Sequence, residues 1–237
     1  MHLPVAILAG GLATRLRPIS EHIPKVLVEV AGRPFAEHQL ELLHEHGLRR
    51  AVFCVGHLGE QVKAALGDGA RFGFALGYSF DGPTLLGTGG ALRRALPLLG
   101  EAFLVLYGDA YLQCDYQAVA QAFLQSGKQG LMTVFRNEDQ WDRSNVIFAD
   151  GQIQRYDKQQ RIPAMRHIDY GLGALRAEVF ARYPADQPLD LATIYQDLLA
   201  EEQLAGFEVS QRFYEIGSHA GLEATQRYFA QRKGFGC

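Results

Sequence analysis

The chain has 237 residues, 48% of them hydrophobic and 21% charged, enough apolar material for a sizeable core in one α/β domain. A net charge of -3 supplies no basic field for a nucleic acid backbone, and three widely spaced cysteines, Cys54, Cys114 and Cys237, indicate neither a disulfide framework nor a zinc site. The apolar residues 3–9 follow no basic segment and are interrupted by Gly10, Gly11 and Arg15, so no membrane span is expected and the chain reads as cytoplasmic.

Along the chain, short apolar runs of strand type alternate with amphipathic helical stretches through the first half, which predicts a parallel sheet covered on both faces. Strands are expected at 5–8, 51–55, 74–78 and 103–107. Residues 34–46 read as a helix with Pro34 in its first turn and Gly47 past its end, while 58–66 and 89–96 carry apolar residues at helical spacing. From Leu131 the pattern changes. Segments 146–149 and 152–156 flank Asp150-Gly151, a dipeptide suited to the positive φ angles of a tight hairpin. A strand at 168–175, a helix at 191–200, a short strand at 213–216 and a closing helix at 219–232 complete the reading. With no linker or repeat, the change near 130 is expected to fall inside one domain spanning 1–237.

The densest signal directly follows the first strand: Leu8-Ala9-Gly10-Gly11-Leu12-Ala13-Thr14-Arg15-Leu16-Arg17-Pro18. Paired glycines let backbone approach a bulky anion, successive N–H groups favour negative charge, and the planar fork of Arg15 suits phosphate oxygens. The loop is neither G-x-G-x-x-G nor G-x-x-x-x-G-K-[ST], and taken alone a plain turn explains its glycines equally well. Pro24-Lys25, followed by the apolar Val26-Leu27-Val28, weighs against the plain turn, because a lysine between a proline and a strand is held in place.

This combination resembles the sugar-phosphate nucleotidylyltransferase family, whose signature is Gly-Gly-x-x-Thr-Arg-Leu, then Pro-Lys, then Gly-x-Pro, the last present as Gly32-Arg33-Pro34. The likeness continues through Gly56-His57-Leu58-Gly59-Glu60-Gln61, Leu86-Gly87-Thr88-Gly89-Gly90-Ala91, Gly108-Asp109-Ala110 and Glu215-Ile216-Gly217. It implies an α/β fold with a mixed, mainly parallel central sheet and helices on both faces, Rossmann-like and GT-A-like, with a nucleotide-binding half at 1–130 and a sugar-phosphate-binding half at 131–237. The implied reaction joins a nucleoside monophosphate to a sugar 1-phosphate and releases pyrophosphate. The Leu-Gly-Thr-Gly-Gly-Ala version is most similar to short bacterial guanylyltransferases of manno-configured sugar 1-phosphates, heptose included, so GTP is the expected nucleotide. Uridylyl transfer to another sugar 1-phosphate is the alternative, and a non-catalytic nucleotide-sugar sensor a further one.

The resemblance also implies a site. The nucleotide is expected against Leu8, Ala9, Gly10, Gly11, Thr14, Arg15, Gly56, Leu86, Gly87, Thr88 and Asp109. Asp109 closes the strand at 103–107, where open α/β sheets place ligands, and is expected to hold Mg2+. The second metal carboxylate of the family is an Asp; this chain has Glu215 there, and a surface pair with Arg212 is the competing reading. Asp157-Lys158 stands where the family has Glu-Lys, which puts Asp157 on sugar hydroxyls and Lys158 on the sugar phosphate, against the alternative of a solvated pair at a strand end. Asn145 and Tyr170-Gly171 fall in the remaining sugar-lining segments. Catalysis is expected to rest on Arg15, Lys25, Asp109 and Lys158. The attacking phosphate oxygen is already anionic, so the obstacle is repulsion, about 4 kcal/mol for each like-charge pair at 4 Å and an effective dielectric near 20. Trp141 reads as a sugar-stacking face or a buried anchor, His57 as a base contact or a surface residue, and Arg49-Arg50 and Arg93-Arg94 as solvated decoration. The expected partners are a nucleoside triphosphate and a sugar 1-phosphate, with no nucleic acid and no membrane; homo-oligomerisation stays open. The C-terminal β-helix or extra helices of longer relatives are expected to be missing.

Overall fold

The computed structural model describes residues 3–11, 14–18 and 21–234; Leu12, Ala13, Cys237 and the side chain of Thr14 lie outside the described residues. The apolar run β1 (Val5–Leu8) leads, past the glycine loop, to a small hairpin of β2 (Glu29–Val30) and β3 (Arg33–Pro34). Ala31 and Gly32 turn that hairpin with φ of 51° and 82°, so the glycine of the Gly-x-Pro signature serves a tight turn. Then α1 (Phe35–Glu45), β4 (Arg50–Val55), α2 (Gly59–Leu66), β5 (Ala75–Phe80), α3 (Gly87–Leu99) and β6 (Ala102–Tyr107) repeat the strand–helix alternation.

Strands β6-β1-β4-β5 run parallel at the centre of the sheet. Their alternate side chains divide between two cores. Val5, Ile7, Phe53 and Leu106 face one side with the apolar residues of α1 and α2. Ala6, Val52, Cys54 and Val105 face the other with Ala91, Leu92, Ala95 and Leu99 of α3. Strands buried on both faces read as unbroken apolar runs, which is why these were legible in the sequence.

Five of the remaining strands enlarge the sheet, and two pair apart from it. After β7 (Ala110–Leu112), α4 (Tyr116–Ser126) begins at Asp115, whose carboxylate accepts from the backbone N–H groups of Gln117 and Ala118. Then come β8 (Gly130–Arg136), the hairpin β9 (Val146–Ala149) and β10 (Gln152–Tyr156), and β11 (His167–Arg176). Asp150 and Gly151 have φ of 52° and 73°, the turn read from the sequence. The chain continues through α5 (Leu191–Ala200), β12 (Leu204–Val209), β13 (Phe213–Glu215) and α6 (His219–Gly234). The nine-stranded sheet has the order β10-β9-β11-β6-β1-β4-β5, with β8 beside β11 and β12 beside β8. β11 runs antiparallel to both β6 and β8, so the sheet crosses residue 130 without a break.

Several bounds differ from expectation. Pro34 pairs in β3 and caps α1 from outside instead of entering its first turn. The helix foreseen at 89–96 extends over Gly87–Leu99 and holds Pro97 in its last turns. The strand foreseen at 74–78 runs on through Phe80, so that Asp81 stands at its carboxyl end.

Candidate active site

A cleft of about 220 Å³ lies at the carboxyl ends of the parallel strands. Of the residues singled out in the sequence, Leu8, Ala9, Gly10, Gly11, Lys25, Gly87, Thr88 and Asp109 line it together. Gly11 is exposed, with nothing within 4 Å of the position a Cβ would take, so its backbone faces open space. Gly10 and Gly56 lie against each other: a Cβ on Gly56 would come within 2.9 Å of the Gly10 carbonyl oxygen. Gly56 therefore stands behind the cleft as the spacer that lets two loops meet. Leu86 is buried and Gly87 takes φ of 70° with the Leu189 carbonyl 2.7 Å from its missing Cβ. The start of α3 is tied to that same carbonyl by the N–H groups of Gly89 and Gly90, at 2.8 and 3.2 Å. The Thr88 hydroxyl donates to Asp190 at 3.0 Å and accepts from the Leu191 N–H at 2.8 Å. These contacts tie the cleft wall to the second half of the chain.

Two opposite charges meet at the cleft. Lys25, which begins a short 3-10 turn after Pro24, places Nζ 2.7 Å from Asp109 Oδ2. The turn carrying Asp109 is held from beneath by Gln39, fully buried in α1, whose Nε2 donates to the carbonyls of Tyr107 and Ala110 at 3.2 and 2.7 Å. Pairing of β13 with β7 sets Glu215 opposite Ala110. A Cβ on Gly217 would lie 2.6 Å from Glu215 Oε2, 2.8 Å from Asp109 Oδ2 and 3.4 Å from Lys25 Nζ. Gly217 thus leaves a cradle between two carboxylates that any other side chain would fill. Glu215 meanwhile accepts from the Gly217 N–H and, at 2.6 Å, from the Ser218 hydroxyl. Arg212 does not pair with it: its guanidinium lies over the rings of Trp141 and Tyr214, 3.3 and 4.7 Å from their centroids. Among the described residues no cluster of three His, Cys, Asp or Glu able to hold a metal occurs, so a cation here would take two carboxylates and complete its shell from substrate and water.

Lys158 approaches from the other half, its Nζ 3.3 Å from the hydroxyl of Tyr107, which lines the cleft, and 3.8 Å from Asp169. Asp169 is nearly buried, accepts from the Tyr156 hydroxyl at 3.3 Å and receives the Gly171 N–H at 3.1 Å. Burial and the neighbouring Asp169 push the Tyr107 and Tyr156 phenols well above their ordinary range. Asp157 instead accepts from the N–H groups of Gln160 and Gln159, which hold its carboxyl below the usual range. Asn145 receives the Asp169 N–H at 2.9 Å, and its carbonyl receives that of Asp157 at 3.0 Å. Tyr170 points into the core, its ring 6.2 Å from those of Phe135 and Phe213, while Gly171, with φ of 99°, runs its backbone past the Tyr107 ring.

The structure separates other residues from the cleft lining. Arg15 is exposed, with no hydrogen bond or ion pair among the described residues, and His57 is exposed. Trp141 is 46% exposed, so it is no buried anchor. The arginines read as decoration are tethers: Arg50 and Arg93 donate to the carbonyls of Leu98 and Phe180, and Arg94 to that of Asp81 at 2.6 Å. Burial pushes the Cys54 and Cys114 thiols up to about 12, which suits inert core residues and not nucleophiles.

Residues 5–154 match the family described as Nucleotidyl transferase. The chain belongs to that family. Among curated nucleotidyl transferases it is 28% identical over 223 residues to a UTP–glucose-1-phosphate uridylyltransferase of Synechocystis, covering 87% of this chain and 58% of that one. It is 28% identical over 225 residues to an N-acetylmuramate alpha-1-phosphate uridylyltransferase of Neisseria meningitidis, covering 93% and 95%. It is 27% identical over 217 residues to the catalytic beta subunit of a Xenopus tropicalis mannose-1-phosphate guanylyltransferase, covering 89% and 60%. The chain thus spans about three fifths of the first and third of these relatives and nearly all of the second. Crystalline HddC from Yersinia pseudotuberculosis, complexed with GMP-PN, shares the fold at a TM-score of 0.81 and 23% identity, over 96% of this chain and 100% of that one.

Sequence reasoning missed Asp81, Leu85, Ala91 and Tyr107, all lining the cleft. Asp81 follows its strand as Asp109 follows β6, and the rule that singled out Asp109 finds Asp81 once β5 is given its full length. Among the described residues no helix is long and apolar enough to cross a membrane.

Proposed function

We propose that the protein transfers a nucleoside monophosphate from a nucleoside triphosphate, GTP by preference, to the phosphate of a manno-configured hexose or heptose 1-phosphate, releasing pyrophosphate. The observation that carries the reading is the convergence of Gly11, Lys25 and Asp109 on one cleft, with Glu215 brought beside Asp109.

An oxygen of the sugar 1-phosphate attacks the α-phosphorus in line, the new P–O bond forms as the bond to pyrophosphate breaks, and no protein nucleophile is required. The backbone at Gly10 and Gly11 receives phosphate oxygens. Lys25, already beside Asp109, offsets charge on the triphosphate; Lys158, steadied by Tyr107 and Asp169, does so for the attacking phosphate. Arg15, exposed and close in sequence to Gly11, is a further cation for phosphate oxygens. Asp109 and Glu215 would hold Mg2+, whose double charge neutralises and orients phosphate oxygens. The turn at Asp157 presents Lys158, and Asn145 fixes Asp169, so these two residues act on the sugar pocket through their neighbours.

Pyrophosphate release measured for each of the common triphosphates with a panel of sugar 1-phosphates tests the proposal. Release from GTP with a manno-configured acceptor is expected, and no release from any pairing would overturn it. The second reading, uridylyl transfer, is favoured by the names of two of the curated relatives, and the same panel separates the two.

A further inference from the structure

We infer that a second cavity, lined by Trp141, Arg212, Tyr214, Glu215, Arg227 and Tyr228, binds a small organic oxyanion, a sugar carrying a phosphate or a carboxylate. The cavity has about 440 Å³, room for a small organic molecule and more than a bare ion needs. No residue lines both this cavity and the cleft, so the inference stands whatever reaction the cleft performs.

Arg212, just ahead of β13, supplies a charge held in place. Its guanidinium lies over the Trp141 and Tyr214 rings, and Tyr214 stacks on Tyr228 of α6 with centroids 4.1 Å apart. Stacking occupies the face of a guanidinium and leaves the N–H groups in its plane unspent. Arg212 makes no hydrogen bond or ion pair among the described residues, and its Nε is buried without an acceptor. A donor left so is costly, and an oxyanion seated on the edge of the fork removes the cost with two parallel bonds. Arg227, exposed on α6, adds a second guanidinium with no ion pair among the described residues. The one carboxylate lining the cavity, Glu215, already accepts from the Gly217 N–H and the Ser218 hydroxyl. The cavity thus carries positive charge in excess, although the whole chain has a net charge of -3.

The carbon skeleton of the ligand follows from the aromatic wall. Trp141 is 46% exposed even though its loop is firmly bonded. Asn137, fully buried, donates to the Asp142 carbonyl at 2.6 Å and the Ser144 hydroxyl at 3.1 Å, and accepts from the Trp141 N–H at 3.3 Å. Arg161 pairs with Asp139 of the same loop at 2.6 Å. An indole kept at the surface in this way offers an apolar face to the C–H groups of a sugar ring. Ser218 and Gln231 line the same cavity as partners for its hydroxyl groups.

Trp141 is the only tryptophan of the chain, so its fluorescence reports on this cavity apart from turnover. Glucose 6-phosphate, glucuronic acid and inorganic phosphate are titrated against wild-type protein, Arg212→Met, Arg227→Ala and Lys158→Ala, with Trp141 emission and calorimetry read in parallel. Saturable binding of at least one of the two sugars is expected, weakened at least about tenfold by Arg212→Met, which keeps an apolar contact for the indole and removes the charged fork. Arg227→Ala is expected to weaken it as well, and being an exposed substitution it decides the matter if the thermal melt of Arg212→Met shows a lost fold. Lys158→Ala is expected to leave binding unchanged; a loss there would put the sugar in the cleft and overturn the site. Absence of saturable binding, inorganic phosphate bound as tightly as both sugars, or an affinity unmoved by the arginine variants would overturn it too. Sugar binding here without any pyrophosphate release would overturn the proposed reaction and leave this site standing.

Discussion

At the scale of single residues, the proposed reaction rests on charges held by their neighbours more than on unusual chemistry. Lys25 and Asp109 already touch, so each is placed before any substrate arrives. Lys25→Ala and Asp109→Ala are each expected to lower turnover at least about tenfold with an unchanged circular dichroism spectrum. Normal steady-state kinetics from either variant would remove that residue from the mechanism. The proposed function gives Glu215 a metal-holding part beside an observed one, in which its oxygens receive the Gly217 N–H and the Ser218 hydroxyl. Glu215→Gln keeps an acceptor and loses the charge, and is expected to raise the magnesium concentration needed for half-maximal rate. An unchanged magnesium titration would leave Glu215 with its loop-holding part alone. Of these residues, Lys25 and Asp109 were readable from the chain because each sits beside a local marker, a proline or a strand end. Asp169 and Gln39 carry no such marker: their roles come from what α1 and β11 bring beside them.

At the scale of elements, glycines set how closely the pieces approach. A Cβ on Gly173 in β11 would stand 2.1 Å from the hydroxyl of Tyr195, which α5 buries against the sheet. Gly173→Ala is therefore expected to cost about 1–3 kcal/mol, read as a lower urea midpoint; an unmoved midpoint would mean that Tyr195 yields without strain. The same closeness hid elements from the sequence. Gly206 interrupts the apolar run of β12, and its missing Cβ is what admits the ring of Phe148, 2.6 Å from that position. Strands β2, β3 and β7 have two or three residues each, too short for any period, and exist only because a partner completes their hydrogen bonds; β13, equally short, was read at 213–216.

At the scale of the molecule, two cores on either side of one sheet make the burial of Cys54 and Cys114 a property of the whole fold. A thiol whose folded pKa is raised contributes stability that is complete below the unfolded value of 9.0 and is lost as pH climbs toward about 12. Alkylation of both residues at pH 8 is expected to follow global unfolding across a denaturant series, with mass spectrometry of their peptides as the readout. Rapid labelling in native buffer would show that the cores open locally. The sequence by itself determined the parallel strand–helix alternation, the hairpin at Asp150-Gly151 and the glycine loop with its lysine, because buried strands, tight turns and closely approached backbone each demand particular residues locally. Only the tertiary structure decided that β13 carries Glu215 to Asp109, that Tyr107 joins Lys158 to the cleft and that Asp81 is walled in beside Leu85. Those meetings depend on strand order and register, which long-range packing fixes and no local pattern encodes.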